Sequence, residues 1–596
     1  MRLLDAKPEA HRTHWVARLH AALRARFRRG EAPLLVLAAL VGVASGLLVV
    51  GAGHLARELQ ALLFGLPPEA RLSHDRALSL IGALTPAAGG LLLGLLGLLL
   101  ARLAPRSHPP VDPIEANALH GGRIPPRDGA EVLAQNILSN GCGASVGLEA
   151  GYTQGGATLA SLLGGWAGLR RAEQRLLVGC GAAGAIAAAF GSPLTGAFYA
   201  FELVIGTYSL AGFLPVVAAA LAASGVARAL DGVPVALLSG EAAPVGPAFY
   251  PLAMLLGAAA GLLAIGIMLA VGRAEAALRP VPAALRPALG GLVVGALALG
   301  LTPAVLGAGH GALHLVLDLD WPIGALLLLL VAKALASAVS VGAGFRGGLF
   351  FASLLLGALL GRIGGVLAAL GGAPADVLDP GIWALAGMAA FGTAIVGAPF
   401  AMTFLVIETT GAFAPALAVL PAVATAALIV RRLFGYSFAT WRFHLRGEAI
   451  RSAHDIGWVK DLTVGRMMRR EVRAVALDTP LAAFRAAFPL GSATRVIALD
   501  AAGRYAGLVL VSEAHAADAP EEGLAGLLRH RDATLRPGMD AKAAMSVFDA
   551  SGAEALAVLD PGGGGRVLGL LTVAHLLRRY GEELERRRRE ETGIEG

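Results

Sequence analysis

The stretch Ser145-Val146-Gly147-Leu148-Glu149-Ala150-Gly151-Tyr152-Thr153-Gln154 sets one carboxylate inside a glycine-rich break between long apolar segments. A charged side chain at membrane depth costs roughly 2.5–3.5 kcal/mol on insertion scales, so one retained there points to ion or proton traffic. The glycines let the backbone open and bring its N–H groups near a ligand. The apolar residues that follow read as a helix, which puts Glu149 at or near a helix N-terminus. That end carries about half a positive charge and free N–H donors. It attracts an anion, and Glu149 can itself be that anion when no other is bound. The plainer reading is a glutamate capping a helix in a loop, and the rest of the chain has to decide between the two.

The chain has 596 residues, 56% hydrophobic and only 15% charged, with mean hydropathy +0.67. Soluble domains carry about a quarter charged residues. From about Ala32 to Phe443 the apolar runs are long enough to span a bilayer, and a soluble tail follows. The 80 glycines let helices pack closely or break. The net charge of +7 gathers at the ends and in short loops, at Arg24, Arg26, Arg28 and Arg29 and at Arg431, Arg432, Arg442 and Arg446. That bias marks cytoplasmic segments rather than a nucleic-acid partner, and it puts both termini inside. Cys142 and Cys180 give neither a disulfide framework nor a metal cluster. The run Ala32–Gly53 reads as a retained span, since no cleavage site follows it.

The chain divides into a basic amphipathic cytoplasmic segment (1–32), a transmembrane region (33–445), a linker (446–462), a paired α/β tail (463–580) and a charged end (581–596). Within the membrane region an internal repeat emerges. Gly181, Ala183, Gly191, Pro193, Phe198 and Glu202 match Gly387, Ala389, Gly397, Pro399, Phe404 and Glu408 at one offset of 206 residues. Interrupted helices in two halves point to a binding site near the midplane at the repeat interface. A second glycine break, Gly342-Ala343-Gly344-Phe345-Arg346-Gly347-Gly348-Leu349-Phe350-Phe351, precedes the second copy much as the Glu149 stretch precedes the first. In the tail, Arg495–Leu499, Gly507–Val511, Ala555–Leu559 and Val567–Leu571 read as strands of two units of about 50 residues, each too small to hold a large core alone.

Four breaks fall in an order that resembles the CLC family of chloride channels and chloride/proton exchangers. Gly121-Gly122-Arg123-Ile124-Pro125 resembles its GSGIP motif, and Gly147-Leu148-Glu149-Ala150-Gly151 its GREGP motif. Gly348-Leu349-Phe350-Phe351-Ala352 resembles GxFxP, and Tyr436 the pore tyrosine. The tail resembles a tandem pair of cystathionine-β-synthase (CBS) type modules. The resemblance implies an all-α polytopic fold of two inverted repeats with broken helices, followed by a small α/β domain. It implies a homodimer in the lipid bilayer with one pore per subunit, passing chloride or a related small anion. Glu149 would be the gating glutamate. Gly122 would hold the central-site serine position, Leu349 and Phe350 would supply backbone N–H groups, and Tyr436 a phenolic O–H. Weak, multiple donors suit an ion that must also leave.

The departures bear on mechanism. Gly122 lacks the serine hydroxyl, Leu148 replaces the arginine beside the gate, and Gly151 and Ala352 replace prolines. Proton-coupled members carry an inner glutamate where this chain has Leu203; the neighbouring Glu202 is a candidate for a proton route, or a structural glutamate at a buried helix end. In the tail, Thr572 keeps one position of the nucleotide signature while the aspartate is lost, which leaves adenine nucleotide as a candidate ligand and no cofactor required. The expectation is a non-enzymatic anion conductor of a bacterial inner membrane, with passive conduction preferred to chloride/proton exchange. A CBS-regulated divalent cation transporter would want clustered intramembrane carboxylates, and a membrane hydrolase a His/Glu metal motif or a Gly-x-Ser-x-Gly nucleophile.

Overall fold

A computed structural model describes residues 31–67, 71–73, 78–103, 105, 108–232, 245–318, 321–446, 462–518, 523–562 and 564–592. Nearly all of the expected N-terminal helix, 1–32, and of the expected linker lie outside the described residues. The chain forms two compact units, Met1–Asp455 and Ile456–Gly596.

Among the described residues the first unit holds helices and no strand. Its first half comprises α1 (Glu31–Phe64), α2 (Leu80–Leu103), α3 (Pro113–Leu119), α4 (Pro126–Gly141), α5 (Glu149–Ala167), α6 (Arg171–Phe190), α7 (Pro193–Tyr199) and α8 (Leu210–Asp231). Its second half comprises α9 (Phe249–Leu278), α10 (Arg286–Gly300), α11 (His310–Asp318), α12 (Ile323–Gly342), α13 (Phe350–Leu370), α14 (Pro380–Val396), α15 (Pro399–Thr410), α16 (Phe413–Leu433) and α17 (Phe438–Leu445). Among the described residues seven helices are long and apolar enough to cross a membrane, and this is an integral membrane protein. Its helices meet through small residues. A Cβ on Gly42 of α1 would lie 2.2 Å from the carbonyl oxygen of Ala219 on α8, so only glycine lets these backbones approach so closely.

The two halves hold each other by exchanged contacts. Gly147 and Gly348 pair as an antiparallel bridge, each N–H donating to the other's carbonyl at 2.9 and 3.3 Å. The N–H of Ser145 donates to Ser340 Oγ at 3.0 Å, and that of Arg346 to Ser139 Oγ at 3.1 Å. Every partner in these pairs maps onto its counterpart by one shift of 201 residues. A second exchange joins the repeated helices. Glu202 accepts from the N–H groups of Phe400 and Ala401 at the start of α15. Glu408 accepts from the N–H groups of Leu194 and Thr195, and from the Thr195 hydroxyl, at the start of α7. Prolines at both starts leave the following N–H groups orphaned, and each carboxylate satisfies those of the other half. The repeat read at an offset of 206 is therefore a reciprocal structural unit.

The second unit is a small α/β pair. β1 (Ala474–Ala476) runs parallel to β2 (Arg495–Leu499), which pairs antiparallel with β3 (Tyr505–Leu510) and through it with β4 (Leu528–Arg529). β5 (Ala555–Leu559) pairs antiparallel with β6 (Val567–Thr572), and Leu535 bridges to Val558 in parallel, as β1 does to β2. The register slips at Ala498/Leu499 in one hairpin and at Val558/Leu559 in the other, the same place in both modules. The four strands anticipated from sequence are β2, β3, β5 and β6. The charged end continues β6 as one helix, Val573–Thr592.

Glu408→Ala should strip three donors of their acceptor. Each unpaired donor costs about 1–3 kcal/mol when buried, so thermal unfolding in detergent should show a clear loss of stability, with Glu202→Ala losing less because it leaves two donors. Equal stability of wild type and Glu408→Ala would show that the exchange is ornamental.

Candidate functional site

Glu149 is the first residue of α5, directly after Leu148, and the Leu148 side chain offers this helix start no cap. The residue is 5% exposed, and its Oε2 has no hydrogen-bond partner. The carboxylate folds back over Gly147, where a Cβ would lie 1.9 Å from Oε2. The absence of a side chain at Gly147 gives this carboxylate its room. On the other side of the bridge, α13 starts at Phe350, again without a side-chain cap. A Cβ on Gly348 would lie 3.4 Å from the Cβ of Ala150, so the two helix starts are neighbours. Two positive helix ends converge here, and only one brings a carboxylate. Under the shift of 201 residues the counterpart of Glu149 is Phe350.

Asn136 on α4 ties this junction together. Its Nδ2 donates to the carbonyls of Gly147 at 3.0 Å and Arg346 at 2.9 Å, and its Oδ1 accepts from the N–H of Gly151 at 2.8 Å. Asn140 holds the carbonyl of Val146 at 2.8 Å. Neither residue was singled out from the sequence. The signal was present: Gln135, Asn136, Ser139 and Asn140 are polar at helical spacing, and all are buried. Phe190 and Tyr199 close the junction from the first half, their rings 4.8 and 6.0 Å from that of Phe350.

A cavity of about 380 Å³ opens beside Glu149, walled by Tyr152, Phe190 and the loop Leu306–His310, with Arg57, Arg71 and Arg228 also on its lining. Asp231 takes part of this charge, 3.6 Å from Arg57 and 2.7 Å from His54. Basic side chains around a cavity that leads to a helix end concentrate anions there.

Of the residues named from sequence, the structure brings Glu149, Leu349 and Phe350 together. It places Gly122 elsewhere. The Gly122 carbonyl accepts from Ser161 Oγ and from Gln174 Nε2, both at 3.0 Å. Ser161 lies three turns beyond Glu149 on α5, about 18 Å along the helix at 1.5 Å per residue. The segment that meets α5 near Glu149 is instead the one leading into α3, where the Val111 carbonyl accepts from Gln154 Nε2 at 2.9 Å. Motif spelling pointed to Gly122, whereas a contact between segments so far apart in sequence is invisible to spelling. Tyr436 stands in the turn between α16 and α17, its hydroxyl 3.2 Å from His444 Nδ1 and its ring stacked on that imidazole. The next residue, Ser437, abuts the break at Gly397, which Leu203 also approaches. Leu203 is buried there, and the Glu202 carboxylate turns to the start of α15. In the tail, Thr572 Oγ1 accepts from the N–H of His575 and so caps the final helix. Among the described residues no group of three or more His, Cys, Asp or Glu is placed to hold a metal ion.

The fold and the junction define a polytopic membrane protein of two exchanged halves, with broken helices aimed at one basic, carboxylate-bearing site. Comparison with known proteins gives the class its name. The family described as voltage gated chloride channel matches residues 89–431. The putative chloride channel protein ClcB-like of Ralstonia nicotianae is 33% identical over 389 residues, 63% of this chain and 89% of that one. The voltage-gated ClC-type chloride channel ClcB of Escherichia coli is 30% identical over 417 residues, 67% of this chain and 96% of that one. Among solved structures, a slow cyanobacterial Cl-/H+ antiporter superposes with TM-score 0.60 at 22% identity, covering 69% of this chain and 97% of that one. A eukaryotic CLC transporter superposes with TM-score 0.57 at 18% identity, covering 93% of this chain and 98% of that one. The chain belongs to the CLC family.

Gly122 sits at φ +80, and a Cβ there would lie 2.9–3.0 Å from backbone atoms of Gln174 and Arg175. Gly122→Ser should therefore lower stability, by about 1–2 kcal/mol for the left-handed backbone alone, and leave the chloride-to-nitrate flux ratio unchanged. A changed ratio in liposome flux assays would return Gly122 to the ion path.

Proposed function

We propose that this CLC-type anion transport protein conducts chloride passively, with Glu149 as its gate. The observation that carries the reading is the buried carboxylate of Glu149, one oxygen unpartnered, at the meeting point of two helix starts. A carboxylate so placed competes with a mobile anion for the same N–H groups and the same field. Leu349 and Phe350 belong to the second helix start and are the anion-binding backbone in this reading. Tyr436 is the hydroxyl donor, and Val111 is better placed than Gly122 to represent the first-half break.

Passive conduction is preferred because the position of the inner glutamate holds Leu203, and because both oxygens of Glu202 already accept backbone hydrogen bonds. Chloride/proton exchange is the second reading. Its support is Glu149 itself, a protonatable group in the path. We further propose a homodimer in a bacterial inner membrane with both termini in the cytoplasm, in line with the distribution of basic residues. The tail is read as a CBS-type pair that binds adenine nucleotide weakly or not at all, since Thr572 is engaged in capping a helix.

Purified protein in planar bilayers separates the two modes. With a pH gradient imposed at fixed chloride, the reversal potential should stay on the chloride equilibrium value; a shift with pH would make the protein an exchanger. Glu149→Gln should keep chloride flux and abolish its pH dependence, and a variant as pH-sensitive as wild type would remove Glu149 from the gate.

A further inference from the structure

Lys333 lies within α12, one of the helices suited to cross a membrane, and its side chain is fully buried. Lysine is almost never fully buried without a partner, and an ammonium loses much solvation there. Its Nζ donates to two backbone carbonyls, Val305 at 3.0 Å and Gly307 at 2.7 Å. Among the described residues no carboxylate lies within ion-pair distance of it.

The two carbonyls belong to the loop between α10 and α11, and Leu306–His310 of that loop wall the cavity beside Glu149. Gly309, at φ +99, lies beside the lysine; a Cβ there would lie 2.6 Å from Leu355 Cδ2 and 3.6 Å from Lys333 Nζ. A trans peptide points its C=O and the following N–H in opposite directions. With the Gly307 carbonyl on Lys333, the N–H of Ala308 faces away from the lysine. The loop ends at His310, whose ring stacks on Phe351 with centroids 3.6 Å apart. Phe351 lies in the first turn of α13, next to Phe350.

We propose that Lys333 is a positioning residue for the anion path. It anchors the Val305–His310 loop and holds the start of α13 through the His310–Phe351 stack. Removing it loosens the loop that walls the cavity beside Glu149 and so weakens the hold of that cavity on an anion. The proposal rests on the chloride-transport reading given above.

The test is chloride efflux from proteoliposomes over a range of chloride concentrations, for wild type, Lys333→Met, Lys333→Arg and His310→Ala. Lys333→Met should raise the half-saturating chloride concentration several-fold with a smaller change in maximal rate, and Lys333→Arg should restore it. A merely structural lysine would lower the yield or the rate and leave half-saturation where it was, and that result would overturn the proposal. Should Lys333→Met fail to fold, His310→Ala reads the same linkage; it should raise half-saturation, and an unchanged value would overturn the coupling through Phe351. Wild-type protein that passes no chloride would overturn the transport reading, whereas unchanged variants beside an active wild type would overturn only the role of Lys333.

Discussion

The bridge between Gly147 and Gly348 is the contact on which the membrane unit depends. It is two hydrogen bonds between two glycines, yet it fixes where α5 and α13 begin and so where two positive helix ends meet. Irregular backbone inside a membrane survives only where its polar groups find partners within the protein. Each break here is completed by the other, with Asn136, Ser139 and Ser340 as supports. The same logic governs Glu202 and Glu408, whose carboxylates close helix starts across the repeat. The three glutamates thus differ in what they do, two holding the scaffold and one facing the site.

Much of this architecture was legible in the sequence. The apolar runs, the offset of 206 residues and the two glycine breaks announced a repeat, because glycine, proline and glutamate are spelled alike wherever a helix is interrupted and recapped. The strands of the tail were legible from their short Val/Leu-rich runs. The partner of each glutamate was not, since reciprocity is a property of the folded pair and not of either segment. Gly122 shows the limit most clearly. Its motif looked right, but a motif records local spelling, and the three turns of α5 that separate it from Glu149 are a tertiary fact. Asn136 was missed for the opposite reason, as one amide in a helix that otherwise reads as polar filler. Lys333 was passed over too, although a lone lysine within the apolar run of α12 was a signal that the sequence carried.

Stability and function pull on the same glycines. The close approach that lets α1 meet α8 at Gly42 demands the absence of a side chain, yet glycine costs roughly 1 kcal/mol relative to alanine in a helix. Small-residue packing with satisfied breaks offsets that cost where lipid offers no hydrophobic drive between helices.

The scaffold around the junction is nearly even-handed, since the bridge, the serine bonds and the glutamate caps all survive exchange of the halves. The chemistry does not. Where one half has Glu149 the other has Phe350, an acid opposite a ring. A path built on a balanced frame but furnished on one side only has a polarity. In the reading proposed above, an ion travelling one way would meet the acid at a different stage of its passage than an ion travelling the other way.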